Sequence, residues 1–482
     1  MSSKQTPLQT PAMIQKASWG ALFQNGNALR SFTLVGGVIL YAINMYIVTT
    51  ILPNIVNDIG GLNYFSWNTT LFIVSSIIGS ALTSKAVAIL GARSAYLFAL
   101  IIFLIGSIWC AMAFSMWFLL IGRVLQGLGG GMLFALGYIL IRIVFEPYLW
   151  TRATALVSGM WGIATLLGPA IGGIFAQSGH WRWAFWSLIP FIIILALVVI
   201  RKISGKSAQE EVTNPPIPFL ALILLVLSVT LISLSSLKDT LLWTGGFLSL
   251  GILFLILMIM IDKSAKNRLL PTGAYSLRST LGKTYLAIIL LMFGMTTEIF
   301  VPYFLQIIHH IKPLSAGYIT AIMAAGWTLS SLPSSAQIGK SRQLLMRLSP
   351  IIITLSLATL ALTMSLDSDV SRLLIGIYIL ALLGIGFGIG LVWPHLLNLV
   401  FISAPKGEEA ITSSSVTTVQ LYATALAAAL VGLVANQAGM VTIGGIEGAK
   451  QASNWLFMIF TLAPIFAAIF IYQIVKLPAF KE

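Results

Sequence analysis

Runs of about 20 mostly apolar residues alternate along this chain with short polar segments, a pattern too long and too evenly apolar for the one-sided helices of a soluble protein. Reading the runs against breakers and charges predicts spans near 32–53, 66–84, 94–114, 117–143, 154–176 and 183–200, a first set of six. A polar segment, RKISGKSAQEEVTNPP at 201–216, precedes two more runs near 217–237 and 241–261. Beyond a second basic segment come six more, near 285–308, 315–337, 347–366, 373–399, 410–435 and 453–475. The expected fold is an all-α integral membrane protein of about fourteen spans, arranged six, two, six. Its expected division is a tail at 1–30, a six-helix bundle at 31–200, a linker at 201–216, an inserted pair at 217–262, a linker at 263–284, a second bundle at 285–476 and a tail at 477–482.

Composition agrees. Of 482 residues 58% are hydrophobic and 8% charged, with mean hydropathy +0.98, where a soluble domain would carry about 25% charge. The net charge of +14 comes from bases strung along loops, which points to a bilayer and away from nucleic acid. Cys110 is the single cysteine and lies inside an apolar run, which excludes a disulfide framework and leaves no metal-ligand spacing. No phosphate-binding loop is present, so ATP-driven pumping is disfavoured. The first 30 residues lack a compact apolar core with a cleavage site and are read as a cytoplasmic tail.

Charge also sets an orientation. With the N-terminus inside, 21 Lys and Arg fall in inside segments and 5 in outside segments (Arg182, Lys238, Lys312, Arg372 and Lys450). A missed span would scramble this bias, so it supports both the count and cytoplasmic termini. Arg123 is the one base within a span, and among the acids only Glu298 is deep.

The fourth span reads GRVLQGLGGG (122–131) and the fifth GMWGIATLLGPAIGG (159–173), followed by HWRWAFW. Together with INMYIVTTILPNI in the first span and NRLLPTGAYSLRS before the ninth, these resemble the motifs of the major facilitator superfamily, in its fourteen-span drug:proton antiporter branch. The resemblance covers most of the chain and is strongest over 43–186. It implies two six-helix bundles that rock around a central cavity, with the first and ninth spans lining it, and the fifth-helix motif is associated in that family with export. Independently of any family, Gly127 and Gly131, then Gly159, Gly168 and Gly172, supply small contact faces for close helix approach, and Pro169 invites a bend.

The chain departs from that pattern in two places. The loop between the second and third spans reads SKAVAILGARSAY: Lys85 and Gly91 are present, Ala88 stands where an acid is expected, Ala92 where Arg is expected, and Arg93 follows. The charge relay the family forms there would be partly lost. In the first span, Asn44 stands where many members of the branch have Asp, and an amide cannot take up a proton.

Glu298 is therefore the leading candidate site residue. It lies 12 residues from Leu286 and 10 from Ile308, roughly 18 Å and 15 Å at the helical rise, close to mid-depth. A carboxylate there costs about 3 kcal/mol on insertion scales, and burial disfavours its ionised form. It is read as a proton carrier or substrate-cation ligand, the alternative being a structural pair with a Ser, Thr, Tyr or Arg. Asn44, at similar depth, would face it across the cavity. Arg123, with Gln126 one turn away, belongs by resemblance to a motif linked to proton transfer; otherwise it snorkels or binds backbone carbonyls. Tyr46, Tyr303 and Trp327 are candidate cavity-lining aromatics. His395 lies toward the inner end of the twelfth span, and His309 and His310 mark the outer end of the ninth, where an interfacial role without metal is expected.

The function expected is proton-coupled efflux of amphiphilic or cationic small molecules by a monomer in the cytoplasmic (inner) membrane of a bacterium, with no cofactor and no metal. A dedicated transporter of one metabolite, such as a siderophore or lipid-like compound, with altered or absent coupling is the alternative. A membrane-embedded enzyme or a scaffold would need nucleophile or His/Asp clusters at one membrane face, or a large soluble domain, and the sequence has neither.

Overall fold

The structure, a computed structural model, describes residues 19–24, 27–146, 149–203, 217–366 and 371–476. The expected N-terminal tail and the linker at 201–216 fall mostly outside these residues, and the tail at 477–482 wholly so. The described chain is helical throughout: α1 Asn27–Ile59, α2 Trp67–Leu90, α3 Ala92–Ala111, α4 Met116–Val144, α5 Trp150–Gln177, α6 Arg182–Trp186, α7 Leu188–Lys202, α8 Phe219–Ser235, α9 Leu241–Ser264, α10 Thr280–Thr296, α11 Val301–Ile307, α12 Pro313–Ser335, α13 Gly339–Thr363, α14 Arg372–Ile402, α15 Glu409–Gln437 and α16 Gly445–Val475.

Among the described residues twelve helices are long and apolar enough to cross a membrane, two fewer than expected. The shortfall falls on α8, with 17 residues, and on α12, with 23 residues. At the helical rise α8 reaches about 26 Å, just under a hydrocarbon core of about 30 Å. The α12 sequence, PLSAGYITAIMAAGWTLSSLPSS, has no charge but is diluted by Ser, Thr, Gly and Ala.

Helices α1 to α5 and α7 form one group, in which α4 packs on α1, α2 and α3 while α5 lies on α1 and α7 on α3 and α1; α10 to α16 form a second, built around α14 and α16. The two groups meet chiefly where α5 lies on α12 and α2 on α15. Helix α8 leans on α2 and α15, and α9 packs on α8 with little of its surface buried. A separate apolar cluster, including Phe72, Ile73, Leu225, Val229 and Tyr422, fills the seam of α2, α8 and α15.

The glycine run of α4 explains how so many helices converge. A Cβ at Gly127 or Gly131 would strike the α2 backbone at Phe72 or Ser76, one at Gly129 would come within 2.6 Å of Phe103 N on α3, and one at Gly130 within 3.0 Å of Tyr41 on α1. Four glycines in five positions thus serve three neighbours. Without a hydrophobic driving force between helices in lipid, such close van der Waals approach is what holds them. On α5, Gly168 and Gly172 likewise lie against Tyr46 and Ile47 of α1, as the spacing predicts. Gly159 departs from that expectation: among the described residues nothing lies within 4 Å of where its Cβ would be.

Candidate functional site

Glu298 does not sit in a continuous helix. The expected ninth span breaks into α10, a 3-10 turn at Thr297–Ile299, and α11. Pro302 causes the break: it has no N–H to give the carbonyl four residues back, and that carbonyl belongs to Glu298. The turn closes with Phe300 N donating to Thr297 O at 3.2 Å. The signal was in the sequence, four residues downstream of the acid. Interrupted helices at mid-depth are tolerated where protein or a cavity satisfies the backbone, and they are where transporters build sites.

The Glu298 side chain is half-buried, and the turn that carries it contacts α15 and α16 as well as α10 and α11. Among the described residues its carboxylate has no hydrogen-bond donor and no cation. Helix α1 contacts α11, the second half of the broken span.

Asn44 is placed differently from the expectation that it faces Glu298. It is fully buried, and its Oδ1 accepts from Arg123 Nη1 at 2.5 Å. Arg123, 2% exposed, also donates through Nη1 to Gln126 Oε1 at 2.8 Å and through Nε to the Asn68 carbonyl at 3.2 Å. Its guanidinium lies 4.1 Å from the centre of the Phe72 ring, and Gln126 Nε2 continues to Ser107 Oγ at 3.0 Å. The result is a buried network over α1, α2, α3 and α4 in which a guanidinium is held by neutral acceptors and a ring face. Asn44 Nδ2 and Asn68 Oδ1 have no partner in it.

The aromatic candidates divide. Tyr46 lies on α1 against Gly168 of α5, whereas Tyr303 is buried at a closure between the two groups of helices, 5.2 Å from the Phe65 ring centre, beside a Phe65–Phe300 contact at 4.7 Å. Trp327 packs edge-on to Trp393 at 5.1 Å. His395 lies beside Trp393 with Nε2 at 3.0 Å from Ser334 Oγ, which itself donates to Leu391 O, joining α12 to α14. His309 Nε2 lies 2.8 Å from Tyr378 Oη and 2.9 Å from Met364 O, a junction among α11, α13 and α14. Of the loop residues, Lys85 lies over the Phe219 ring of α8 at 5.6 Å. Gly91 turns the chain at φ 79°. Neither Lys85 nor Arg93 pairs with an acid among the described residues.

The polar and aromatic contacts between the two groups of helices gather toward the end of the molecule that is poor in Lys and Arg. Asn436 Nδ2 donates to Asn63 O at 3.0 Å and to Ser236 O at 3.1 Å, tying α15, the α1–α2 loop and the end of α8 together. Gln306 Nε2 reaches Thr50 O at 3.4 Å. Along α5 the packing grades in the same direction: at Gly173 a Cβ would come within 2.5 Å of Leu314 on α12, while Gly159 and Gly162 meet nothing within 4 Å. Sequence reading also missed a clasp at that end, where Arg182 Nη1 pairs with Asp58 Oδ2 at 2.7 Å and Arg182 Nη2 donates to Ala113 O at 2.7 Å.

Residues 34–428 match the Major Facilitator Superfamily. A probable multidrug-efflux transporter of Mycobacterium tuberculosis is 35% identical over 451 residues, covering 92% of this chain and 93% of its own. The multidrug transporter protein MdtP of Bacillus subtilis is 29% identical over 408 residues, covering 81% and 73%. Among solved structures, a POT family transporter in complex with 5-aminolevulinic acid aligns with TM-score 0.68 at 16% identity over 96% of this chain and 100% of that one. A D-xylose-proton symporter aligns with TM-score 0.63 at 13% identity over 93% and 97%. At those identities the structural likeness speaks for the fold alone.

Proposed function

The chain belongs to the Major Facilitator Superfamily, and we propose that it exports amphiphilic or cationic organic compounds in exchange for protons, by alternating access. Glu298 carries this reading. An acid at mid-depth, on a broken helix, with neither cation nor donor among the described residues, is costly when ionised. A proton or a substrate cation relieves that cost, and competition of the two for one carboxylate is the simplest chemistry of antiport. The relatives named as multidrug-efflux proteins support export and a broad substrate range.

We read the architecture as fourteen spans, with α8 and α12 completing the twelve longer helices. In support, α8 forms a hairpin with α9, and α12 packs between α5 and α14. Both termini then lie on the base-rich, cytoplasmic side, and the six-two-six division follows with the boundaries given above. On that orientation the closure at Phe65, Tyr303 and Asn436 is extracellular, and the central seam opens toward the cytoplasm. The protein works as a monomer, and α8 and α9 lie outside the transport path.

One observation favours a second reading, a dedicated transporter with altered coupling: Asn44 binds Arg123 where the branch's first-helix acid would stand. Uptake of a panel of cationic, zwitterionic and anionic compounds into proteoliposomes separates the two. The proposed function expects cationic amphiphiles to accumulate with an acidic lumen and to lose accumulation when the gradient is collapsed. Uptake of one compound alone, indifferent to the gradient, would support the second reading.

A further inference from the structure

On exposed surface of the second group of helices, outside the transport path on the proposed reading, a crevice of about 520 Å³ lies between α13 and α16. Arg347 and Tyr472 line its base-rich end, and Lys476, beside the crevice, shares that ring: the Arg347 guanidinium lies 5.5 Å and the Lys476 Nζ 4.2 Å from the centre of Tyr472. All three side chains are exposed, and neither cation pairs with an acid among the described residues. Toward the membrane interior the crevice is apolar, lined by Pro350, Ile351 and Ile469.

We infer that this crevice binds an anionic phospholipid, its phosphodiester between Arg347 and Lys476 and its acyl chains along Pro350, Ile351 and Ile469. Two like charges converging on one ring repel each other, and a ring quadrupole offsets only part of that cost. A headgroup anion neutralises both at once, and a basic pocket between transmembrane helices at the level of the headgroups is the setting in which such lipids are recognised. The chemistry also fixes the ligand's shape. A free phosphate would satisfy the two cations and leave the apolar floor uncovered, whereas a diacyl lipid fills both parts. The site is independent of what the central cavity carries.

Native mass spectrometry of the purified full chain, titrated with dioleoyl phosphatidylglycerol or with the phosphatidylcholine of the same chains, tests this. One phosphatidylglycerol should bind in preference to phosphatidylcholine. The double variant R347Q/K476Q should bind it roughly 25-fold more weakly, about fivefold for each base removed. The control K263Q/K266Q removes two exposed bases at the same end of the molecule and should bind as wild type. Should the double variant aggregate, R347Q and K476Q are each expected to lose about fivefold, while Arg347→Lys keeps the site. Equal affinity for the two lipids, undiminished binding by the charge-removed variants, an equal loss in the control, or displacement by millimolar inorganic phosphate would each overturn the assignment.

Discussion

Arg123 donates to the side-chain carbonyl of Asn44 across 2.5 Å, so this buried base is held by an amide and, among the described residues, pairs with no acid. Removing that acceptor leaves a desolvated guanidinium short of a partner. Asn44→Leu should therefore lower stability by about 2 kcal/mol, the scale of a hydrogen bond to a charged group, read as a lower thermal midpoint in detergent. Asn44→Asp keeps the geometry and adds the opposite charge, and should melt no lower than wild type. An unchanged midpoint in Asn44→Leu would mean that Arg123 does not depend on Asn44.

Two glycines that look alike in sequence should behave oppositely. At Gly131 a Cβ would collide with the Ser76 backbone of α2, so Gly131→Ala must push two helices apart and should cost about 1–3 kcal/mol. At Gly159 the space is open, so Gly159→Ala should be neutral or gain up to about 1 kcal/mol in helix propensity. Thermal midpoints of the two variants, compared side by side, check this.

Pro302 denies the Glu298 carbonyl its helical donor. In Pro302→Ala that hydrogen bond can form and the break between α10 and α11 can anneal into one helix. Transport should then fall severalfold while the thermal midpoint holds or rises. A variant with full transport would show that the break is not needed.

Much of this was legible before any coordinates, and the rest was not for identifiable reasons. The mid-depth expected of Glu298 rests on the apolar runs on either side of it, because the cost of charge in lipid makes such an exception conspicuous. The break beside it was written in Pro302, yet prolines are tolerated within membrane helices, so periodicity alone reads through them. The Arg123–Asn44 contact joins residues 79 positions apart and exists because Gly130 lets α4 close on α1; no local pattern announces it. Gly159 misled because glycine spacing marks a face without saying whether a neighbour occupies it. Asp58 and Arg182 carried a faint signal as an acid and a base predicted at the same end of the molecule.

Outside the candidate spans, Glu408 docks the α9–α10 linker by accepting from the Thr272 hydroxyl and backbone N–H, both at 2.6 Å. Those bonds, side chain first, hold its carboxyl below the usual range. A depressed folded-state value means the dock contributes fully above the ordinary carboxylate range and is lost as pH falls through the depressed value. Limited proteolysis of the linker should thus rise only in acid, below the ordinary carboxylate range, and Glu408→Gln should leave it more open at neutral pH. Cleavage that is equal in the two proteins at neutral pH would remove Glu408 from this role.

On the proposed function, Glu298 is the carboxylate exchanged between proton and substrate. The most direct test of that role is substrate-dependent proton flux in proteoliposomes, wild type against Glu298→Gln, with folding checked by thermal midpoint. The expected result is that the variant folds, with a midpoint equal to or above wild type because an unpartnered half-buried acid is gone, and that its substrate-driven proton flux is abolished. Proton flux at the wild-type rate in a folded Glu298→Gln would contradict it.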